Sequence, residues 1–332
     1  MEIKKGYKQA EVGVIPMDWD VKNLLDNFTL KARIGWQGLT TEEYLSTGDY
    51  GLVTGTDFRD GYIDWDNCVY VEKIRYVQDK NIQLKVNDVL VTKDGTIGKV
   101  AFVNKLPNPT TLNSGIFVVR PKNPNIDERF FYYILMSSYF DIFLSKITAG
   151  STITHLYQKD FSTFNFILPP RFEQNAIAQV LSDTDSYINS LEKLIEKKSQ
   201  IKQGAMQELL KPKDGWETKT IKEVATYRRG SFPQPYGLDK WYDDISGFPF
   251  VQVFDVDDNN RLKDETKRYI SKAAQQMSVF VKKGSIILTI QGSIGRIALT
   301  QYDAYVDRTL LIFESFKIPF NSFFFMISIW RI

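Results

Sequence analysis

The sequence predicts an α+β protein: two tandem, related α/β units separated by a long spacer helix with a coiled-coil seam, the second unit incomplete. Three observations predict it. Paired sequence anchors recur at one spacing, glycine-punctuated β-type stretches occur inside each copy, and one uninterrupted helical run lies between them. At 332 residues the chain has room for about two cores.

The anchors come first. Trp19-Asp-Val-Lys-Asn-Leu24 is answered by Trp216-Glu-Thr-Lys-Thr-Ile221, 197 residues on. Val89-Leu-Val-Thr-Lys-Asp-Gly95-Thr-Ile-Gly98-Lys-Val-Ala101 is answered by Ile286-Ile-Leu-Thr-Ile-Gln-Gly292-Ser-Ile-Gly295-Arg-Ile-Ala298, again 197 residues on. Leu52-Val-Thr-Gly-Thr-Asp57 and Phe250-Val-Gln-Val-Phe-Asp255 stand 198 apart. Three anchors at spacings of 197, 197 and 198 residues indicate duplication of a large unit, not a short solenoid repeat.

The first copy, with its helix, runs from Trp19 to about Leu210. Alternating apolar positions and Val/Ile content predict β structure over Asp88–Val103. Gly95 and Gly98 mark a turn in it that needs positive φ or a close approach. Glu128–Leu144 reads as an aromatic-rich helix. Phe161–Pro170 alternates until Pro169-Pro170 breaks it. Ile177, Leu181, Thr184, Ile188, Leu191 and Ile195 then follow a 4-3-4-3-4 spacing, one stripe of a helix. No Gly or Pro interrupts Arg171–Gln203, and Pro212 ends the run. A helix from Phe172 to Leu210 would be about 58 Å long. The resulting division is 1–170, 171–211 for the spacer, and 212–332. One exposed seam is not stable alone, so Ile177, Leu181, Ile188, Leu191 and Ile195 are the expected helix-pairing residues.

In the second copy, Phe320–Ile332 corresponds to the aromatic helix Phe130–Leu144. The turn at Gly150-Ser-Thr, the Pro-Pro segment and the long helix have no counterpart, roughly seventy residues by the repeat alignment. The sequence therefore reads as a C-terminally truncated product, from early termination or a frameshift, whose spacer helix is left to pair with another chain, including a second copy of itself.

Composition narrows the chemistry. Lys+Arg 42 against Asp+Glu 40 gives a net charge of +2, so any nucleic-acid site is a local patch on a neutral body. A lone cysteine, Cys68, excludes an intrachain disulfide and multi-thiolate zinc. A lone histidine, His155, excludes two-His metal motifs and leaves one candidate for a Ser-His-Asp triad, in a chain without G-x-S-x-G. Neither G-x-G-x-x-G nor G-x-x-x-x-G-K-S/T occurs, which argues against hydride and phosphoryl transfer. The N-terminus lacks a signal-peptide core, and the most apolar stretches, Phe130–Leu144 and Phe320–Ile332, are shorter than the ~20 residues a membrane helix needs. The expectation is a cytoplasmic, soluble chain with no membrane contact.

Several short motifs remain: Ile15-Pro16-x-x-Trp19, Gly95-x-Ile-Gly98 with Gly292-x-Ile-Gly295, Gly150-Ser-Thr-Ile-Thr-His155-Leu, and Leu168-Pro-Pro-x-x-Glu173-Gln174 leading into the long helix. With the duplication and the spacer, the chain resembles the specificity subunit of prokaryotic type I restriction-modification systems over essentially its whole length. The resemblance implies two target-recognition domains that read the halves of a split double-stranded DNA site. It implies spacer helices that set the gap and bind modification (methyltransferase) subunits, and a restriction (motor-nuclease) subunit in the complex. It implies no catalysis and no cofactor in this chain; S-adenosylmethionine, ATP and Mg²⁺ belong to the partners. The C-terminus departs from the pattern, which puts reading of the second half-site in question.

A DNA reader needs cations for phosphates and Arg, Lys, Asn or Gln for base edges. In the first copy, Lys31, Arg33 and Gln37 form a basic, glycine-flanked loop, with Arg33 a candidate for guanine and Gln37 for adenine. The bland alternative is a turn with solvated cations and Trp36 in the core. Lys93, Thr96 and Lys99 surround the Gly95/Gly98 turn, where the glycines read as structural and the side chains as phosphate contacts. Ser151, Thr152, Thr154 and His155 suit phosphate or base-edge contact, or a capped turn. In the second copy Arg228, Arg229 and Ser231 sit where Lys31–Gly35 does in the first, and Gln291, Ser293, Arg296 and Arg308 complete that face. The run Phe323-Phe324-Phe325 reads as core, and Glu192 to Lys202 as a solvated helix face.

Two rival readings stand beside this one. Asp255, Asp257, Glu265 and Lys267 superficially fit a Mg²⁺-dependent nuclease, although 257–260 reads as a hairpin loop and the first copy has no matching Glu-x-Lys. A methyltransferase is disfavoured because no Asn/Asp-Pro-Pro-aromatic site occurs. A coiled-coil scaffold without DNA affinity is the other rival, and it predicts no salt-dependent DNA binding.

Overall fold

A computed structural model describes residues 5–148, 155–319 and 321–330, except the side chains of Trp36, Ser322, Phe323 and Trp330. The chain divides into two compact units, Met1–Lys197 and Lys198–Ile332, a division that falls inside the long helix.

In the first unit a six-stranded sheet runs in the order Phe28–Lys31, Ile116–Pro121, Val89–Thr92, Val100–Phe102, Tyr62–Ile63, Phe58–Arg59. Its central strands are apolar at most positions, Thr92 and Arg120 excepted, because both faces are covered. Val89, Val91, Phe117 and Val119 point to one core, where Phe131 and Phe140 from the aromatic helices and Phe161, Phe164 and Phe166 pack. Leu90, Ala101, Ile116 and Val118 point to the other, with Val53 and Leu112. Those last two belong to a second sheet, Thr110–Leu112, Gly51–Val53, Val69–Tyr70, whose first pair is parallel. Strand Asp20–Asn23 pairs antiparallel with Asn165–Leu168.

The second unit repeats the plan. Its strands Ala225–Arg229, Leu310–Phe316, Ile286–Thr289 and Ile297–Leu299 form one sheet in the same relative order, all antiparallel. A second sheet again contains a parallel pair, Phe248–Val251 with Ala304–Val306. The two-sided burial recurs: Ile286, Ile297 and Phe313 face one core, Ile287, Ala298 and Ile312 the other. The duplication seen as sequence anchors is therefore a duplication of topology. Segment 217–220, the counterpart of strand Asp20–Asn23, pairs with no strand among the described residues. Phe325 is buried, as expected of core, whereas Phe324 stays exposed with its ring edge-on to Trp216.

The predicted β stretch Asp88–Val103 is a hairpin whose strands pair antiparallel across the predicted glycine turn. One local expectation is corrected. The aromatic run is not one helix but two, Glu128–Leu135 and Ser138–Thr148. The break falls at Met136-Ser137, where the Ser137 hydroxyl donates to Ile134 O (2.7 Å) and competes with the helical pattern.

The long helix runs over Arg171–Leu209, within one residue of the predicted ends. Only Gln174 and Ala178 in it are buried. Of the seam, Ile177 is half-buried, while Leu181, Ile188, Leu191 and Ile195 are exposed. No helix among the described residues is long and apolar enough to cross a membrane.

Candidate nucleic-acid interface

The glycine turns are built the same way twice. Gly95, Gly98, Gly292 and Gly295 all have positive φ, between 69° and 91°, which a side chain would strain. Each turn closes on a buried threonine. The Thr92 hydroxyl donates to Thr96 O (2.5 Å) and accepts from Lys99 N (2.9 Å). The Thr289 hydroxyl donates to Ser293 O and accepts from Arg296 N (2.9 Å). The structural reading of the glycines fits this geometry, while Lys93 turns its Nζ over the Phe117 ring, 5.7 Å from the centroid. Thr96 and Lys99 are exposed in the first unit, Gln291 and Ser293 in the second, and Lys93 and Arg296 are half-buried.

His155 is drawn to the same place in the first unit. Its Nδ1 meets Asp94 Oδ1, and Leu156 N donates to Lys93 O (2.7 Å), so the chain around His155 lies along the turn. The Asp94 carboxylate also lies 3.9 Å from Lys93 Nζ. Lys93, Asp94 and His155 are thus joined at the turn that also carries Thr96 and Lys99. Asp94 was missed from the sequence, because nothing local signals that it meets a residue 61 positions away. Ser151, Thr152 and Thr154 lie outside the described residues.

Lys31 ends its strand exposed, level with Leu90 across the intervening strand. Arg33 does not join it. Its side chain is buried: Nε donates to Leu112 O (2.9 Å), one terminal nitrogen to Gln78 Oε1 (3.2 Å), and the other to Thr111 Oγ1 (3.1 Å). A guanidinium held in this way cannot reach a base edge, which corrects the expectation for Arg33. Burial, with the neighbouring Arg75 charge, lowers its pKa from the ordinary value. Gln37 is buried as well, its Oε1 without a hydrogen-bond partner among the described residues, and the same correction applies to it. Arg75 in turn holds Glu43 at 2.6 Å. These residues form an internal polar network beside the second sheet, distinct from the turn cluster.

In the second unit Arg228 and Arg229 are exposed at the end of the edge strand. Arg228 lies 3.9 Å from Glu314, and Arg229 Nε donates to Arg308 O (3.1 Å). Ser231 is half-buried and donates to Met277 O (2.9 Å). Arg296 is paired with Asp258 (2.7 Å) and helps line a cavity of about 520 Å³ with Phe254, Lys263, Gly292 and Ser293.

Two carboxylates of the nuclease reading, Asp255 and Asp257, are structural, whereas Glu265 is exposed. Asp57 and Asp255, equivalent in the two units, are buried and accept from the backbone N–H of Thr54 (2.7 Å) and Gln252 (2.8 Å). Burial pushes the pKa of both upward, partly offset by those backbone bonds. Asp257 accepts from Asn259 N and Arg261 N and closes a hairpin loop. No group of three or more His, Cys, Asp or Glu among the described residues could hold a metal ion.

Residues 16–203 match the profile of the type I restriction modification DNA specificity domain. A Methanocaldococcus jannaschii protein, provisionally named type I restriction enzyme MjaX specificity subunit, is 24% identical over 347 residues, covering 97% of this chain and 78% of that protein. The type I restriction enzyme MjaVIII specificity subunit of the same organism is 27% identical over 246 residues, covering 69% of this chain and 54% of its own length. The crystal structure of a type I restriction-modification system S subunit from M. genitalium superposes with a TM-score of 0.56 at 17% identity, covering 99% of this chain and 78% of that chain. At that identity the likeness is one of fold.

Proposed function

The chain belongs to the type I restriction modification DNA specificity domain family, and from that premise we propose that it is the DNA-reading, non-catalytic subunit of such a system. The single observation that carries the reading is the glycine turn built twice, on equivalent hairpins, each carrying an exposed hydroxyl and a cation: Thr96 with the exposed Lys99, and Ser293 with the half-buried Arg296, which is paired with Asp258. Cations at fixed positions neutralise phosphates, and short hydroxyls and amides beside them fix register or reach base edges.

In this reading residues 1–170 and 212–332 are two recognition units and 171–211 the spacer. The first unit addresses one half of a split double-stranded site through Lys31, Lys93, Thr96, Lys99 and His155, and through Ser151, Thr152 and Thr154, which lie outside the described residues. The second addresses the other half through Arg228, Arg229, Ser231, Gln291, Ser293 and Arg296. The helix keeps the half-sites near one DNA turn apart, ~34 Å. Modification subunits, which bring S-adenosylmethionine, extrude the target base, since a stacked base is out of reach. A restriction subunit brings ATP and Mg²⁺ chemistry, and the assembly works in a prokaryotic cytoplasm.

The test is co-purification with a modification subunit, followed by sequencing of methylated sites. A split methylated motif is expected, with DNA binding that weakens steeply with salt. Methylation without sequence preference, or binding indifferent to salt, overturns the reading.

A further inference from the structure

We infer that Arg308, lying against the Tyr236 ring, is a base-reading side chain of the second unit and takes a guanine of its half-site, an assignment that rests on the DNA reading proposed above. The duplication shows why this position, among the many polar ones on that face, is the one that distinguishes the two units.

One joint is built the same way in both units. Leu52 lies level with Thr111 and Phe250 with Tyr305 in the parallel strand pairs, and Leu52 and Phe250 are repeat counterparts. Asn113 is therefore equivalent to Asp307, and Ser114 to Arg308. The Ser114 backbone N–H donates to Asn113 Oδ1 (2.6 Å), and the Arg308 backbone N–H to Asp307 Oδ1 (2.7 Å). A tyrosine closes each joint. Asn113 Nδ2 donates to the Tyr44 hydroxyl (2.9 Å), and the Tyr236 hydroxyl donates to Asp307 Oδ2 (2.9 Å). Each joint also abuts its glycine turn, where Lys93 N donates to Gly115 O (2.8 Å) and Ile290 N to Thr309 O (3.0 Å).

On this shared frame the presented residue differs. Ser114 is half-buried, and its hydroxyl turns back to Asn113 Oδ1 (3.3 Å). Arg308 is exposed, its guanidinium carbon 5.3 Å from the centroid of the Tyr236 ring. That ring is itself held in place. Its hydroxyl accepts from Gln252 Nε2 (2.9 Å), and Asp307 beneath it is buried and accepts from Thr309 Oγ1 (2.9 Å). A guanidinium resting on a fixed ring gains a cation–π contact and loses less freedom when it binds. Its planar fork matches the O6 and N7 acceptors that guanine shows in the major groove.

Neighbouring arginines are engaged otherwise. Arg228 lies 3.9 Å from Glu314, and Arg296 2.7 Å from Asp258. Among the described residues the Arg308 guanidinium has no ion pair and no hydrogen bond. Arg229 Nε donates to Arg308 O (3.1 Å), which sets a second exposed guanidinium alongside, placed for a phosphate. The Arg308 fork would also fit a phosphate. Phosphates, however, are the same in every duplex. A frame kept constant while its presented residue changes from Ser114 to Arg308 is the arrangement a base contact needs, because only base edges differ between half-sites.

The test uses the full chain in complex with its modification subunit. Methylated sites are sequenced for the parent and for Arg308→Ala. A duplex carrying the parent's motif is then bound with each guanine replaced in turn by 7-deazaguanine, which lacks the N7 acceptor. Arg308→Ala should relax one guanine position in one half of the motif and leave the other half intact. At that position the parent should discriminate against 7-deazaguanine by about tenfold, and Arg308→Ala hardly at all. Arg308→Lys, which keeps the charge without the fork, should keep the salt dependence and lose most of the discrimination. Tyr236→Ala should relax the same position, and the double variant no further. A motif unchanged by Arg308→Ala overturns the assignment. So does a uniform loss of affinity across sequences with a salt slope lower by about 0.9, the mark of a phosphate contact. A parent complex that shows no split motif would sink the DNA reading itself, and this assignment with it.

Discussion

The indole Nε1 of Trp19 donates a 2.9 Å hydrogen bond to Glu173 Oε2, 154 residues further along the chain. One residue on, the buried Gln174 accepts from Asp127 N (2.9 Å) through Oε1 and donates to Pro169 O (2.8 Å) through Nε2. Arg171 reaches Asp127 at 3.2 Å. These bonds fix the direction in which the long helix leaves the first unit. The Ile-Pro-x-x-Trp and Leu-Pro-Pro-x-x-Glu-Gln motifs are therefore the two halves of one joint, and a spacer can set a distance only if such a joint is stiff.

Trp19→Phe and Glu173→Gln should each destabilise the chain by about 1 kcal/mol, the usual net worth of a partly buried hydrogen bond. The double variant should cost less than the sum, because both remove one interaction. Urea unfolding of the four chains in a double-mutant cycle measures the coupling; strictly additive losses would show the bond contributes nothing.

Arg33 carries a second prediction. Arg33→Ala leaves Gln78, Thr111 and the Leu112 carbonyl without their donor and opens a cavity beside the second sheet. Truncating one partner of a buried charged network costs about 3 kcal/mol. The loss should appear in urea midpoints, while the methylated motif of any active complex stays the same. A changed motif with unchanged stability would restore Arg33 as a base reader.

Arg33 also marks the limit of what the sequence reveals. The repeat spacing, the helix ends near Arg171 and Leu209 and the turn glycines depend on local patterns, and all were legible. The burial of Arg33 and Gln37 is not local. It depends on strand Thr110–Leu112 and on residues 75–78, which no spacing connects to residue 33. A cation between glycines looks the same whether it faces water or a carbonyl. The Asp94–His155 contact was hidden for the same reason, and the break in the aromatic helix turned on one serine hydroxyl within an otherwise helical pattern.

Glu43 sets a pH dependence. Its hydrogen bond from Arg75, with a further one from Thr40 N, holds its pKa down at about 2, below the ordinary 4.5. The folded state therefore favours the ionised form. The stabilisation is fully present above pH 4.5 and is lost as pH falls through about 2. Glu43→Gln should lower stability at pH 7 and flatten the acid limb between those values. Unfolding curves at pH 7, 4 and 2.5 test it, and an acid limb identical to the parent's would discount the Arg75 contact.

Lys99 and Arg296 occupy equivalent places but should not contribute equally to DNA binding. Lys99 is exposed and has no ion pair among the described residues, whereas Arg296 is bound to Asp258 at 2.7 Å. Each phosphate neutralised adds about 0.9 to the slope of log K against log salt. Lys99→Ala should reduce the slope by about that amount. Arg296→Ala should reduce it less, because Asp258 already neutralises part of the charge, and Asp258→Asn should steepen it. Salt titrations of the complex on a fixed duplex separate the three; equal slopes for all would place both turns away from the phosphates.

The seam of the long helix supplies the last prediction. Ile188, Leu191 and Ile195 are 48%, 40% and 69% exposed, so within this chain they contribute little to folding. Burying one such side chain against a partner helix is worth about 1.5–3 kcal/mol. Ile188→Asp with Leu191→Asp should therefore leave urea unfolding of the chain nearly unchanged. The same pair should weaken association through the helix, with itself or with a modification subunit, by at least about a hundredfold. Sedimentation across a concentration series, alone and with that subunit, reads the difference. If the double variant unfolds early instead, the seam is already covered within the chain, and pairing with another helix loses its physical basis.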